Sequence, residues 1–76
     1  MNKIVFFELE SWEEPYVKNA FEGHEVITTT EKLTPENALQ YLDVQIISIF
    51  IYSEITKDLL DKLPNLKFIT TKSTNL

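Results

Sequence analysis

Seventy-six residues make one domain at most, and a chain of that size buries so little surface that its margin over conformational entropy is thin. Twelve acidic residues against seven lysines give a formal net charge of −5, and Lys3, Lys18, Lys32, Lys57, Lys62, Lys67 and Lys72 are scattered rather than clustered, which disfavours nucleic acid as a partner. The absence of cysteine excludes a disulfide framework, a thiolate metal site and a cysteine nucleophile; no apolar run approaches the roughly 20 residues of a spanning helix, so no membrane partner and a cytoplasmic location are expected.

The chain opens on Lys3 to Leu9 (KIVFFEL), where consecutive Ile4, Val5, Phe6 and Phe7 predict a strand covered on both faces. Ser11-Trp12-Glu13-Glu14 has the form of a capping box, with Ser11 as N-cap, Glu14 reaching back and Pro15 in the first turn. In the helix that follows, Trp12, Tyr16, Val17, Ala20 and Phe21 form the expected buried stripe, and Gly23, the single glycine, is the left-handed residue that ends it. His24 to Thr30 (HEVITTT) is β-prone but half polar, which suits an edge strand.

Thr34-Pro35 repeats the start signal for a second helix, with Ala38, Leu39 and Leu42 as its apolar face. Val44 to Tyr52 (VQIISIFIY) is the longest apolar run and predicts the interior strand, its carboxyl end at Tyr52 and Ser53 facing the crevice where a ligand would meet the sheet. Thr56 caps a third helix, with Asp58 in its first turn, Ile55 and Leu60 as a hydrophobic staple, Leu59 and Leu63 on the inner stripe and Pro64 as the stop. Leu66 to Thr71 (LKFITT) is the fourth strand.

Strand and helix therefore alternate with short connections, which predicts an α/β fold with a parallel sheet. The two strands most apolar on both faces belong inside, giving a three-layer α/β/α arrangement with a four-stranded parallel sheet in the order 2-1-3-4, a partial flavodoxin-like sheet. The fourth strand is then an edge whose Phe68 and Ile69 point to opposite faces, with Thr70 beside them. Those residues are candidates for pairing with a second copy of the chain.

Leu63-Pro64-Asn65-Leu66-Lys67-Phe68-Ile69-Thr70-Thr71-Lys72-Ser73-Thr74 resembles the Leu-Pro-x-Leu-Lys-x-Ile-x-x-Arg-Ser-x-Gly-x-Asp segment of the NAD-dependent D-isomer-specific 2-hydroxyacid dehydrogenases, D-lactate dehydrogenases above all. Ile47 to Leu60, an apolar strand running into Tyr52-Ser53-Glu54-Ile55-Thr56 and a Leu-Leu helix, is similar to the preceding unit of that family. The resemblance spans the chain and implies the first part of the family's substrate domain, a flavodoxin-like lobe whose loops form one wall of the substrate cleft. It makes Tyr52, Ser53, Lys72, Ser73 and Thr74 the substrate-loop candidates. Lys72 stands where the family has arginine, and Asn75 where it has the glycine whose N–H helps hold the substrate carboxylate.

The sequence has no G-x-G-x-x-G, no arginine, and one histidine, His24, outside any motif, so the family's catalytic Arg, Glu and His and its nucleotide-binding domain have no counterpart here. The expectation is a single truncated lobe over residues 1–76. It has no catalytic residue, no metal site and no bound NAD of its own, and its partner is either the remainder of a parent enzyme or, alternatively, a second copy joined at the fourth strand. Glu8 and Glu10, at i and i+2, read either as an acid pair or as solvated residues at a strand end, the latter being the expectation because no third group joins them. A phosphoacceptor receiver domain would need an aspartate ending the third strand, where Ile51, Tyr52 and Ser53 stand. His24 is expected to meet the helix dipole or water, and Tyr52 either touches a small anion or caps the core.

Overall fold

The computed structural model describes residues 2–71. Four short strands, β1 (Lys3–Phe6), β2 (Glu25–Thr28), β3 (Ile46–Ile49) and β4 (Phe68–Thr71), form one sheet in the order β2-β1-β3-β4. Every pairing is parallel: Ile4 lies beside Val26 on one side and Ile46 on the other, and Ile47 lies beside Ile69. Between the strands run a 3-10 turn (Ser11–Glu13) leading into α1 (Glu14–Ala20), α2 (Pro35–Ala38) leading into a second 3-10 turn (Leu39–Tyr41), and α3 (Lys57–Asp61). Backbone bonding outlasts the strands themselves, since Leu9 N–H donates to the Thr29 carbonyl at 3.0 Å and Phe7 N–H to that of Ser48 at 2.9 Å.

Strand side chains alternate between two faces, and each face has its own core. On one side Val5, Phe7, Ile47 and Ile49 pack with Leu33, Ala38, Val44, Leu59 and Leu63 from α2, α3 and their connections, and Phe7 meets the Tyr41 ring edge-on at 5.2 Å. On the other, Ile4, Phe6 and Leu9 pack with Val17 of α1 and with Val26 and Ile46. The three-layer arrangement and the strand order are those expected from the sequence.

The local signals that held are those with a donor and an acceptor close together in the chain. Asn37 N–H donates to Thr34 Oγ1 at 3.1 Å while Thr34 N–H donates back to Asn37 Oδ1 at 2.9 Å, and Leu59 N–H donates to Thr56 Oγ1 at 3.1 Å. Gly23 has φ +97°, the left-handed geometry its position demanded.

Burial departs from expectation in three places. The stripe on α1 is not buried: Trp12 and Tyr16 are 70% and 71% exposed and stack edge-on against each other, Ala20 is exposed, and Phe21 is at the rim against Phe6, leaving Val17 as the helix's contact with the core. The start of this segment is one residue earlier than predicted, because the Glu13 carboxylate reaches back to Glu10 N–H at 3.0 Å instead of Glu14 reaching Ser11. That turn is 3-10 and only seven helical residues follow, too few to roll a five-residue stripe onto the sheet. Leu39 and Leu42 are exposed as well, since the tightening of α2 into a 3-10 turn carries Tyr41 inward in their place. Of the staple on α3, Ile55 packs against the core whereas Leu60 lies at the surface.

The central run is also shorter as a strand than its composition implied. It ends at Ile49, and Ile51 and Tyr52 turn out into solvent, for a reason that lies just beyond β1.

Candidate functional site at the carboxyl end of the sheet

β1 ends at Phe6, but the chain stays buried through Leu9, and this short extension carries an acid, Glu8, that is only 8% exposed. A carboxylate removed from water must be met by donors, and four converge on it. Phe50 N–H and Ser53 N–H donate to Oε2 at 2.9 and 3.0 Å, Tyr52 N–H donates to Oε1 at 2.8 Å, and the Ser53 hydroxyl donates to Oε2 at 2.5 Å. Three of the four are backbone groups that would otherwise have extended β3, so the capture of these N–H groups ends the strand and folds Ile51 and Tyr52 outward. The Ser53 oxygen in turn accepts Leu33 N–H at 2.9 Å, and Glu8 N–H donates to the Glu31 carbonyl at 2.9 Å. One side chain thus joins the end of β1, the β2–α2 connection and the β3–α3 loop.

Two further properties follow. Glu8 has φ 58°, a left-handed conformation that costs a side-chain-bearing residue energy and that the surrounding bonds hold in place. Desolvation is the largest single influence on its carboxyl and pushes it up, but the Ser53 hydroxyl and the N–H groups of Phe50, Tyr52 and Ser53 together outweigh it, and the carboxyl lies below the usual range. Short charge-assisted bonds of this kind favour the ionised form. The reading of Glu8 and Glu10 as solvated strand-end residues is therefore corrected for Glu8; Glu10 is exposed.

Around this latch the surface is hollowed. A cleft of about 290 Å³ lies between the ends of β1 and β3, lined by Glu8, Leu9, Glu10, Thr30, Phe50 and Tyr52. A smaller one of about 190 Å³ lies between the β2–α2 connection and the β3–α3 loop, with Lys32, Thr34, Tyr52 and Thr56 on its walls. Tyr52, 70% exposed, stands between the two. A third hollow of about 310 Å³, at the ends of β1 and β2, is lined by hydroxyls and acids, and there Thr28 Oγ1 donates to Glu14 at 2.6 Å.

Of the sequence-derived candidates, Tyr52 projects from the loop and lines both of the first two clefts, whereas Ser53 beside it is bonded within the loop to Glu8 and Leu33. Phe68, Ile69 and Thr70 lie together on β4, a sheet edge away from the crevice. Lys72, Ser73 and Thr74 lie outside the described residues. His24 is exposed, and its Nδ1 accepts Asn2 N–H at 3.1 Å rather than facing any site. Among the described residues no three His, Asp or Glu side chains come together to hold a metal ion, and no helix is long and apolar enough to cross a membrane.

Residues 4–74 match the model of the D-isomer-specific 2-hydroxyacid dehydrogenase catalytic domain. The chain belongs to that family. Among solved structures, D-lactate dehydrogenase from Aquifex aeolicus, whose crystals hold NAD and lactic acid, superposes with a TM-score of 0.81 at 30% identity, over 93% of this chain and 21% of its own. Salmonella D-lactate dehydrogenase gives 0.79 at 20% identity, over 97% of this chain and 24% of its own, and the Escherichia coli enzyme 0.79 at 19%, over 97% and 25%. The chain thus spans about a quarter of the length of the D-lactate dehydrogenases it matches. No curated protein matches it.

The described residues do not fit the dinucleotide seen in the Aquifex structure. A pyrophosphate needs free N–H groups at a glycine-lined turn into a helix. Here the stretch from β1 into the first turn of α1 carries Glu8, Glu10, Glu13 and Glu14, the single glycine lies beyond the far end of α1, and the N–H groups that follow β3 bind Glu8.

The role of Glu8 was not legible in the sequence as a function, although one sign was there. In Phe7-Glu8-Leu9 an acid is flanked on both sides by residues that prove buried. Its partners, more than forty positions away, carry no mark in the sequence because most of them are backbone.

Proposed function

We propose that this chain is the substrate-side lobe of a D-2-hydroxyacid dehydrogenase of the D-lactate type. It forms one wall of the cleft that holds a 2-keto or 2-hydroxy acid, and it is not catalytic alone. The reading is supported above all by the β3–α3 loop, which leaves the carboxyl end of an interior strand, is fixed from below by Glu8 and presents Tyr52 to solvent between two clefts. Tyr52 and Ser53, with Lys72, Ser73 and Thr74 of the segment after β4, are the contact residues on this reading. NAD and the acid, base and arginine of the redox step come from chain segments other than residues 1–76, which form a single flavodoxin-like lobe. Titration of pyruvate, lactate and NADH into the purified chain tests it: small, saturable amide shifts at Tyr52 and Ser53 with the acids and none with NADH are expected. Turnover of NADH by the 76-residue chain would overturn the claim that it is not an enzyme.

A second reading is favoured by a separate observation. β4 is a sheet edge, hydrogen-bonded on one side to β3, and its Phe68 is 59% exposed while Ile69 packs inward. On this reading two copies pair through β4 and the chain works as a small homodimeric interaction module.

A further inference from the structure

The geometry points to a carboxylate receptor at the carboxyl end of β3. It is built from the N–H groups of Phe50, Tyr52 and Ser53 and the Ser53 hydroxyl. The chain fills it from within with Glu8, and it will take a small free monocarboxylate when that side chain is removed. The donors lie 2.5 to 3.0 Å from the two oxygens of a single carboxylate, both of which are engaged. Three of them are main-chain groups, so a change at position 8 deletes no donor, and a carboxylate supplied from solution can gather the same N–H groups and restore the loop path that Glu8 imposes. The fourth is oriented independently: Leu33 N–H donates into the Ser53 oxygen, which turns the hydroxyl proton toward the carboxylate. Access is provided by the neighbouring cleft of about 290 Å³, on whose wall Glu8 itself lies.

Position 8 also makes the site easy to empty. Its φ of 58° lies where glycine is at ease, so Glu8→Gly removes the carboxylate and relieves the backbone at the same time. A formate or acetate ion then supplies the same two oxygens to the same donors. Glu8 thereby becomes a positioning residue for Tyr52, whose N–H it holds. This role bears on substrate only if the loop is the cleft wall proposed above, whereas the receptor itself does not depend on that reading.

The experiment is chemical rescue followed by NMR, with neither substrate nor NADH present. In Glu8→Gly, acetate and formate should produce saturable shifts of the Phe50, Tyr52 and Ser53 amides toward their wild-type positions, and chloride at equal ionic strength should not. The wild type should show no such response, its receptor being filled. Nor should Glu8→Gln, whose amide occupies the same space. If Glu8→Gly is unfolded in chloride, acetate should restore a dispersed spectrum at a concentration that leaves an unrelated destabilised variant, Leu59→Ala, unfolded or unshifted. Absence of saturable rescue in Glu8→Gly, or an equal response in Glu8→Gln, overturns the receptor. Rescue without any effect of pyruvate on the wild type would leave the receptor standing and count against the cleft-wall reading.

Discussion

Ser53 is the residue at which three segments are tied, because its single hydroxyl both donates to Glu8 and accepts from Leu33. Replacing it by alanine leaves the Leu33 N–H and one carboxylate oxygen without that partner, a loss of about 1–3 kcal/mol by analogy with other half-buried charged hydrogen bonds. Urea unfolding of Ser53→Ala should show it as a lower midpoint with an unchanged slope. Acid should act on the same knot with a definite sign. The Glu8 carboxyl is held below its ordinary value of 4.5, so its contribution is complete above that value and is lost as pH falls through the lower, folded-state value. The urea midpoint should therefore drop between neutral pH and pH 3 in the wild type and drop less in Glu8→Gln. Lys3, whose bond to Asp43 at 2.9 Å raises its amino group, acts at the other end of the scale and loses its contribution only as pH rises through that raised value. Of all this the sequence held an acid between two hydrophobes and singled out Tyr52 and Ser53 for another reason, but nothing in it tied the acid to them.

Elements were legible in proportion to how locally they are encoded. Thr34 with Pro35 and Thr56 mark boundaries by bonds confined to a few residues and stand where they were expected, and Gly23 has its expected left-handed torsion two residues beyond the C-cap Phe21. Which helix face is buried depends instead on distant packing, and α1 shows the failure: of a five-residue apolar stripe, Val17 packs into the core and Phe21 only rims it against Phe6. Two measurements separate the helices. Trp12→Ala should change stability by no more than about 0.5 kcal/mol, as at an open surface position, and Trp12 fluorescence should be red-shifted and freely quenched by iodide before unfolding. Leu59→Ala on α3, where the side chain is wholly enclosed, should cost about 2–5 kcal/mol.

For the whole molecule those figures are large. A domain of this length is stable by roughly 4–11 kcal/mol at the usual 0.05–0.15 kcal/mol per residue, so Leu59→Ala can consume much of the total. The strand order was legible because strand–helix alternation allows few arrangements and the two runs apolar on both faces had to be inside. Oligomeric state was not, since an exposed aromatic on an edge strand describes an opportunity for pairing rather than a partner. Phe68→Lys resolves it: on the homodimer reading, sedimentation at high micromolar concentration should show a dimer in the wild type and a monomer in the variant. The unfolding midpoint of the dilute monomer should stay within about 0.5 kcal/mol of the original, because the phenylalanine is already largely in water. A wild-type monomer under those conditions would remove the reading.

The position of β1 has a kinetic consequence. The first strand of the chain lies in the interior of the sheet, beside Glu25 to Thr28 on one side and, across most of the sequence, beside Ile46 to Ser48 on the other. There is no hairpin anywhere among the described strands, so no neighbouring pair can zip up early and wait for the rest. Each pairing must close a long loop before it gains anything, which places this small domain among slow folders for its length. Refolding should be a single cooperative event in which the β1–β3 seam and the Glu8 latch across it form together.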